Sequence, residues 1–336
     1  ASPRASARPR ASARRSSTDV AAVGERSVRL VLAAVASGLV GVAAAFALAH
    51  PTFPGGSSWL RVVAVASGSV VLGFGVLAVM DGHSDSRRLA VEPSVMWRAI
   101  GFLSGVWAVA EFALLAAAAA DSAGRTPLTL SPSAFTAFAT SISVGRLGSA
   151  TVILALALCA IGVVGYRRAA SWSPIPVIVL ASIALVARPI TGHMSQFAFG
   201  SIAVAVHVIC ASVWLGVLGA MALSVRSKSG WAVLLPIYST VAFWCVVGVA
   251  VTGVLDAILK LGSVEAIVET GYGRIILAKL SITVLLVALA HRIRGTWLPT
   301  VAAHRSTVEY SLGRAAAHVC LLAVAFGLAA ALATTA

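Results

Sequence analysis

Charge is scarce in this sequence. Only 11% of its 336 residues are Asp, Glu, Lys or Arg, less than half the roughly 25% of an ordinary soluble domain. That deficit argues against a soluble globular enzyme, and equally against a disordered or fibrous chain. Cysteine is sparse too: Cys159, Cys210, Cys245 and Cys320 all sit inside apolar runs, where they make no secreted disulfide framework. There is no CxxC, no H-E-x-x-H, no G-x-x-x-x-G-K-[ST] and no G-x-S-x-G, so the metalloprotease, nucleotide and hydrolase signatures are all missing. The expectation is a protein that is not an enzyme. Acidic residues are the rarer sign, 11 against 25 Lys and Arg for a net charge of +14. In a soluble protein that excess would suggest nucleic acid as a partner. Here the bases gather in short loops between apolar stretches, the habit of cytoplasmic loops in membrane proteins, and no nucleic acid is expected.

What fills the sequence is hydrocarbon. Hydrophobic residues make up 59% and the mean hydropathy is +0.97, so the lipid bilayer is the expected solvent. A helix needs about 20 apolar residues to cross a hydrocarbon core of about 30 Å. Nine stretches qualify: 28–49, 59–80, 97–120, 146–165, 174–191, 199–223, 235–258, 273–291 and 314–334. The fold class is therefore all-α, a polytopic transmembrane helical bundle of about nine spans. The fifth stretch is the shortest and ends at Arg188-Pro189. Residues 128–144 read as a re-entrant or interfacial piece, or as an extension of the fourth span. Residues 1–27, rich in Ala, Ser, Pro and Arg, read as a disordered basic tail. Residues 28–191 form an N-terminal membrane half and 192–336 a second one.

Basic residues set the orientation. With the N-terminus inside, eighteen Lys and Arg fall on the inner side and seven on the outer, which predicts a cytoplasmic N-terminus and, after nine spans, an outer C-terminus in the cell membrane. Small residues at Gly38/Gly41, Gly101/Gly105, Gly216/Gly219 and Gly248/Thr252 mark close helix approaches. Trp59, Trp97, Trp172, Trp231 and Trp297 fall near predicted interfaces, as an aromatic belt would.

Polar and metal-binding side chains inside a span are costly in lipid and are functional suspects for that reason. His207 lies about 12 Å along the sixth span from its outer end, and Cys210, three residues on, shares its face. His193 and Met194 precede that span on the outer side. His, Met and Cys are borderline-to-soft donors suited to copper, Cu(I) above all, so His193, Met194, His207 and Cys210 are the candidate metal ligands. Cys245 lies near mid-membrane on the seventh span and could face Cys210; it is read as packing. His291 and His318, near the inner ends of the last two spans, could form an exit site, with His291 equally placed as an interfacial residue. Glu111 is the one acid well inside a span and needs a partner such as Arg146 or Arg188; a structural ion pair is expected.

At Thr191-Gly192-His193, then His207 followed by Ala211-Ser212-Val213-Trp214-Leu215-Gly216, the chain resembles the CopD copper-resistance membrane family. The resemblance continues through Val251-Thr252-Gly253 and resumes at Tyr272-Gly273-Arg274 with Lys279, about 100 residues over 191–294. It implies copper handling at the cytoplasmic membrane, uptake from the outer side, and partnership with a CopC-like soluble copper carrier. The Ala/Arg-rich character resembles the actinobacterial type, in which a CopD-like half precedes a CtaG-like oxidase-assembly half; the chain is either complete or the first half of such a fusion. Val217 stands where the family often has a second Gly, which predicts a looser helix contact. Met194 stands where a small residue is common, which adds a thioether or fills space.

Three functions fit these features. In the first, His193 and Met194 capture copper, as Cu(I) or Cu(II), and His207 with Cys210 passes it inward for homeostasis or oxidase assembly. In the second, His193/His207 and His291/His318 are axial pairs for haem in a b-type membrane cytochrome. In the third, the protein is a non-transporting oxidase-assembly scaffold.

Overall fold

The computed structural model describes residues 10–51, 53–83, 90–191, 199–261 and 266–335. Eleven α-helices follow one another: α1 (Arg10–Leu48), α2 (Ser58–Gly82), α3 (Pro93–Ser122), α4 (Pro132–Ser141), α5 (Ser143–Arg167), α6 (Ile175–Ala187), α7 (Gly200–Ser224), α8 (Lys228–Leu261), α9 (Ala266–Glu269), α10 (Gly271–Ala302) and α11 (Val308–Leu332). Among the described residues there is no strand. Eight of these helices are long and apolar enough to cross a membrane, and the chain is an all-α multi-pass membrane protein, as expected.

The fifth expected span is shorter than the others. Residues 174–191 fold into the 13-residue α6 and a 3-10 turn, Pro189–Thr191, because Pro189 cannot continue the α-helix. About 20 Å of α-helix is too little for a full hydrocarbon core, yet the segment still connects the two ends of the bundle. The Trp97 indole, near the start of α3, donates to the carbonyl of Ala170 at 2.9 Å. Arg188, just past α6, pairs with Glu111 late in α3. The chain therefore alternates between two faces nine times. Arg26 and Glu309 meet on the face where α1 enters the bundle, and Ser58 meets Thr334 on the face where α11 ends. We call these the N-terminal and C-terminal faces.

Two expected boundaries move. Residues 10–27, read as part of a disordered tail, continue α1 outward: they are rich in Ala and Arg, no proline occurs between Pro9 and Pro51, and once a span nucleates a helix each added residue gains a hydrogen bond. Residues 132–141 form the separate helix α4, which tucks Phe138 against Leu115 and Ala119 of α3.

Close helix contacts use the small residues. A Cβ on Gly41 would sit 2.2 Å from the carbonyl oxygen of Val324, and one on Gly216 would sit 1.9 Å from that of Ser69, so α1–α11 and α2–α7 approach backbone to backbone. Val217 is completely buried beside Gly216; the close approach is made by Gly216, and the contact is not loosened. The aromatic belt is smaller than expected. Trp97, Trp231 and Trp297 are buried at 1–2% exposure, with Trp231 and Trp297 ring to ring at 5.9 Å, whereas Trp59 and Trp172 stay exposed. The three buried tryptophans lie at helix ends but on faces that meet neighbouring helices. One apolar cluster joins residues from both sides of 191/192, among them Leu72, Trp107 and Ala181 with Trp214, Leu286 and Val319. Phe102, Val109, Ile153, Trp244 and Ile258 face outward, as lipid requires.

Candidate functional site

The chemistry-bearing residues gather along the seam between α7 and α8, which run antiparallel. On α7, His207, Cys210 and Trp214 share one face at offsets of three and seven residues; on α8, Thr252, Cys245 and Tyr238 do so at steps of seven. The seam therefore has three rungs from the C-terminal face toward the N-terminal one: His207 with Thr252, Cys210 with Cys245, and Trp214 with Tyr238.

The first rung fixes the His207 tautomer. The Thr252 hydroxyl donates its single proton to the carbonyl of Gly248 at 2.5 Å, so it must accept from Nδ1–H of His207, 2.9 Å away. Nε2 is thereby assigned as the bare lone pair, the arrangement by which metal-ligating histidines are oriented. Gly253 lies along the imidazole edge, where a Cβ would stand 3.5 Å from Cε1. In the resemblance motif Val251-Thr252-Gly253, Thr252 thus holds the ring and Gly253 flanks it. Lys279 of α10 acts electrostatically on His207, and Asp256 of α8 acts on Lys279.

The second rung pairs two thiols. Cys210 and Cys245 face each other closely enough to interact, and both are free. Cys245 is buried. Cys210 Sγ rests on Gly248, where any Cβ would come within 2.7 Å of the sulfur. In the third rung, the Tyr238 hydroxyl donates to the Trp214 carbonyl at 3.2 Å.

Of the candidate ligands, His207 and Cys210 lie one turn apart on this seam, while His193 and Met194 lie outside the described residues. Among the described residues no group of three or more His, Cys, Asp or Glu is placed to hold a metal ion; what the seam offers is single and paired donors. Glu111 finds its partner in Arg188, at 3.1 Å with both side chains largely buried, while the Trp107 indole donates to its other oxygen at 3.4 Å. Arg61 of α2 acts on both members electrostatically. This cluster ties α2, α3 and the end of α6 together, away from the α7–α8 seam. Sequence reasoning overlooked Thr252 as the partner of His207, and treated it as a small packing residue. It also set Cys245 aside as packing; the offset of seven from Thr252 was the available signal.

The fold and seam define a multi-pass helical membrane protein with soft donors where α7 meets α8. Residues 232–333, from within α8 to just past α11, match the model of the family Copper resistance protein D, CopD. No curated protein and no solved structure matches the chain. The matched segment overlaps the resemblance over 232–294 and extends it through α11. It contains Cys245, Thr252, Lys279, His291 and His318, and leaves His193, Met194, His207 and Cys210 on its N-terminal side.

Proposed function

We propose that the protein moves copper into or across the cell membrane and does not catalyse a reaction. The observation that carries this reading is the His207 imidazole, held by Thr252 with Nε2 free, one turn from the Cys210/Cys245 thiols within a CopD-flanked helix pair. Copper is the cargo. His193 and Met194 capture it on the outer side, and His207 and the thiols receive it. A charged ion tolerates the bundle interior only where ligands replace its hydration shell. Sites of one or two donors release an ion more readily than a closed tetrahedral one, which suits transfer. The thiols favour Cu(I). A CopC-like soluble carrier as donor and a CtaG-like oxidase-assembly protein as recipient fit this role.

The test is copper accumulation in cells that depend on the protein. With wild type, cell copper rises on expression; with His193→Ala/His207→Ala it falls to the level of cells without the protein. Unchanged accumulation in the double variant would overturn the reading.

A further inference from the structure

Beyond the third rung the seam opens into a surface-connected cavity of about 200 Å³ lined by α7, α8, α10 and α11. Its wall includes Trp214, Tyr238, His291, Arg294, Trp297 and His318. Most polar groups here are already engaged. The Tyr238 hydroxyl donates to Trp214, and the Trp297 indole donates to the Ser311 hydroxyl at 3.3 Å. Arg294 donates to the Ser239 hydroxyl at 2.8 Å and lies over the Phe243 ring, 5.1 Å from its centre. His318 is different. It is only 4% exposed, and its Nδ1 has no hydrogen-bond partner among the described residues. A buried polar nitrogen left unpaired is destabilising, so its retention on a side chain of the cavity wall points to a partner that is not protein. His291, the second imidazole on the wall, is exposed and gives access from the bundle surface.

The lining selects the ligand. No carboxylate or thiol lines the cavity, so it offers little to calcium or magnesium, which take six or more oxygens, or to zinc, which takes four ligands. Two imidazoles among aromatic rings suit a soft monovalent ion that accepts low coordination, with the Trp214 ring 6.1 Å from that of His318 adding a π-face. Arg294 nearby repels a monovalent ion half as strongly as a divalent one. The volume also lies below the roughly 300–1,000 Å³ of sites for larger organic ligands, which disfavours haem.

We propose that His318 and His291 form a second Cu(I) station, reached from His207 through the Cys210/Cys245 rung. The proposal rests on the copper reading above, and its test separates the two. The purified full chain in detergent is titrated anaerobically with Cu(I) against a competing chelator, and in parallel with Ag(I), a redox-inert soft monovalent ion. Wild type should bind two ions. His318→Ala and His291→Ala should each weaken one site at least tenfold and spare the other, while His207→Ala/Cys210→Ser should do the converse. Wild-type stoichiometry and affinity in both cavity variants would overturn the second station and leave the transport reading standing. So would a single ion lost only with His207 and Cys210. Two ions bound as expected, but no copper accumulation by cells expressing wild type, would overturn transport and keep the station. Should His318→Ala fail to fold, the exposed His291→Ala decides.

Discussion

A single hydroxyl sets the tautomer of His207. Thr252 has one proton, committed to Gly248, and its lone pair then holds Nδ1–H of the imidazole, which leaves Nε2 without a proton. Replacing Thr252 by Val keeps the volume but leaves Nδ1–H without its acceptor, so the ring can turn and the other tautomer becomes available. Groups that orient a metal-ligating histidine are typically worth 10- to 100-fold in affinity. Thr252→Val should therefore weaken Cu(I) binding at the His207 site by about 10-fold or more, whereas Thr252→Ser, which keeps the hydroxyl, should stay within a factor of a few. Competition with a chelator on the purified protein measures both. Equal losses in the two variants would show that packing at 252 matters and its hydroxyl does not. Much of this site was legible in the chain: His207 and Cys210 stand out as costly side chains in a span, and their spacing of three places them on one face. Thr252 and Cys245 were harder, because a Thr or Cys in an apolar run is as often a packing residue. Which face of α8 meets α7 is set by tertiary contacts that spacing along one helix does not contain.

At the scale of helices, glycine divides into two kinds, and the distinction rests on contacts and not on sequence. Gly216 carries the α2–α7 approach, where a Cβ would overlap the Ser69 carbonyl. Gly295 of α10 has nothing within 4 Å of its Cβ position. Gly216→Ala should force α2 and α7 apart and cost about 1–3 kcal/mol, seen as a lower unfolding temperature in detergent. Gly295→Ala should be neutral or should stabilise by up to about 1 kcal/mol, since Gly is the weaker helix former. Similar shifts in both would mean that helix propensity outweighs close packing in this bundle. The same contrast explains which elements could be read in advance. Long apolar runs locate eight helices, and for α2, α3, α5 and α7 they give both ends within about four residues, because lipid demands that length. Their polar extensions were less visible: α8 begins at Lys228 and α10 runs to Ala302, past the apolar segments, since nothing in composition stops a helix that has already started. The tryptophans mislead for a related reason. Trp97 and Trp297 stand at helix ends as interfacial residues do, but their indoles donate inward, to Ala170 and Ser311.

For the molecule as a whole, nine crossings between faces put the start of α1 and the end of α11 on opposite faces, and the distribution of bases says which face should meet the cytoplasm. Eighteen of 25 Lys and Arg belong to the N-terminal tail and to loops or helix ends assigned to the N-terminal face, and excess positive charge is retained on the cytoplasmic side during insertion. Several of the seven others are held by the fold: Arg188 pairs with Glu111, and Arg274 donates to the carbonyls of Leu48 and His50. Under the proposed transport role, the direction of copper flow would depend on this orientation, since the His207 rung lies toward the C-terminal face and the His318 cavity toward the other. Ser122→Cys and Ser171→Cys, both at exposed positions on opposite faces, report it directly. A membrane-impermeant maleimide added to intact cells should label Ser122→Cys and spare Ser171→Cys until the membrane is permeabilised. The native thiols lie within helices, and the unsubstituted chain supplies the background. The reverse pattern would turn the protein over, put the His207 rung on the cytoplasmic side, and convert a path for copper uptake into one for release.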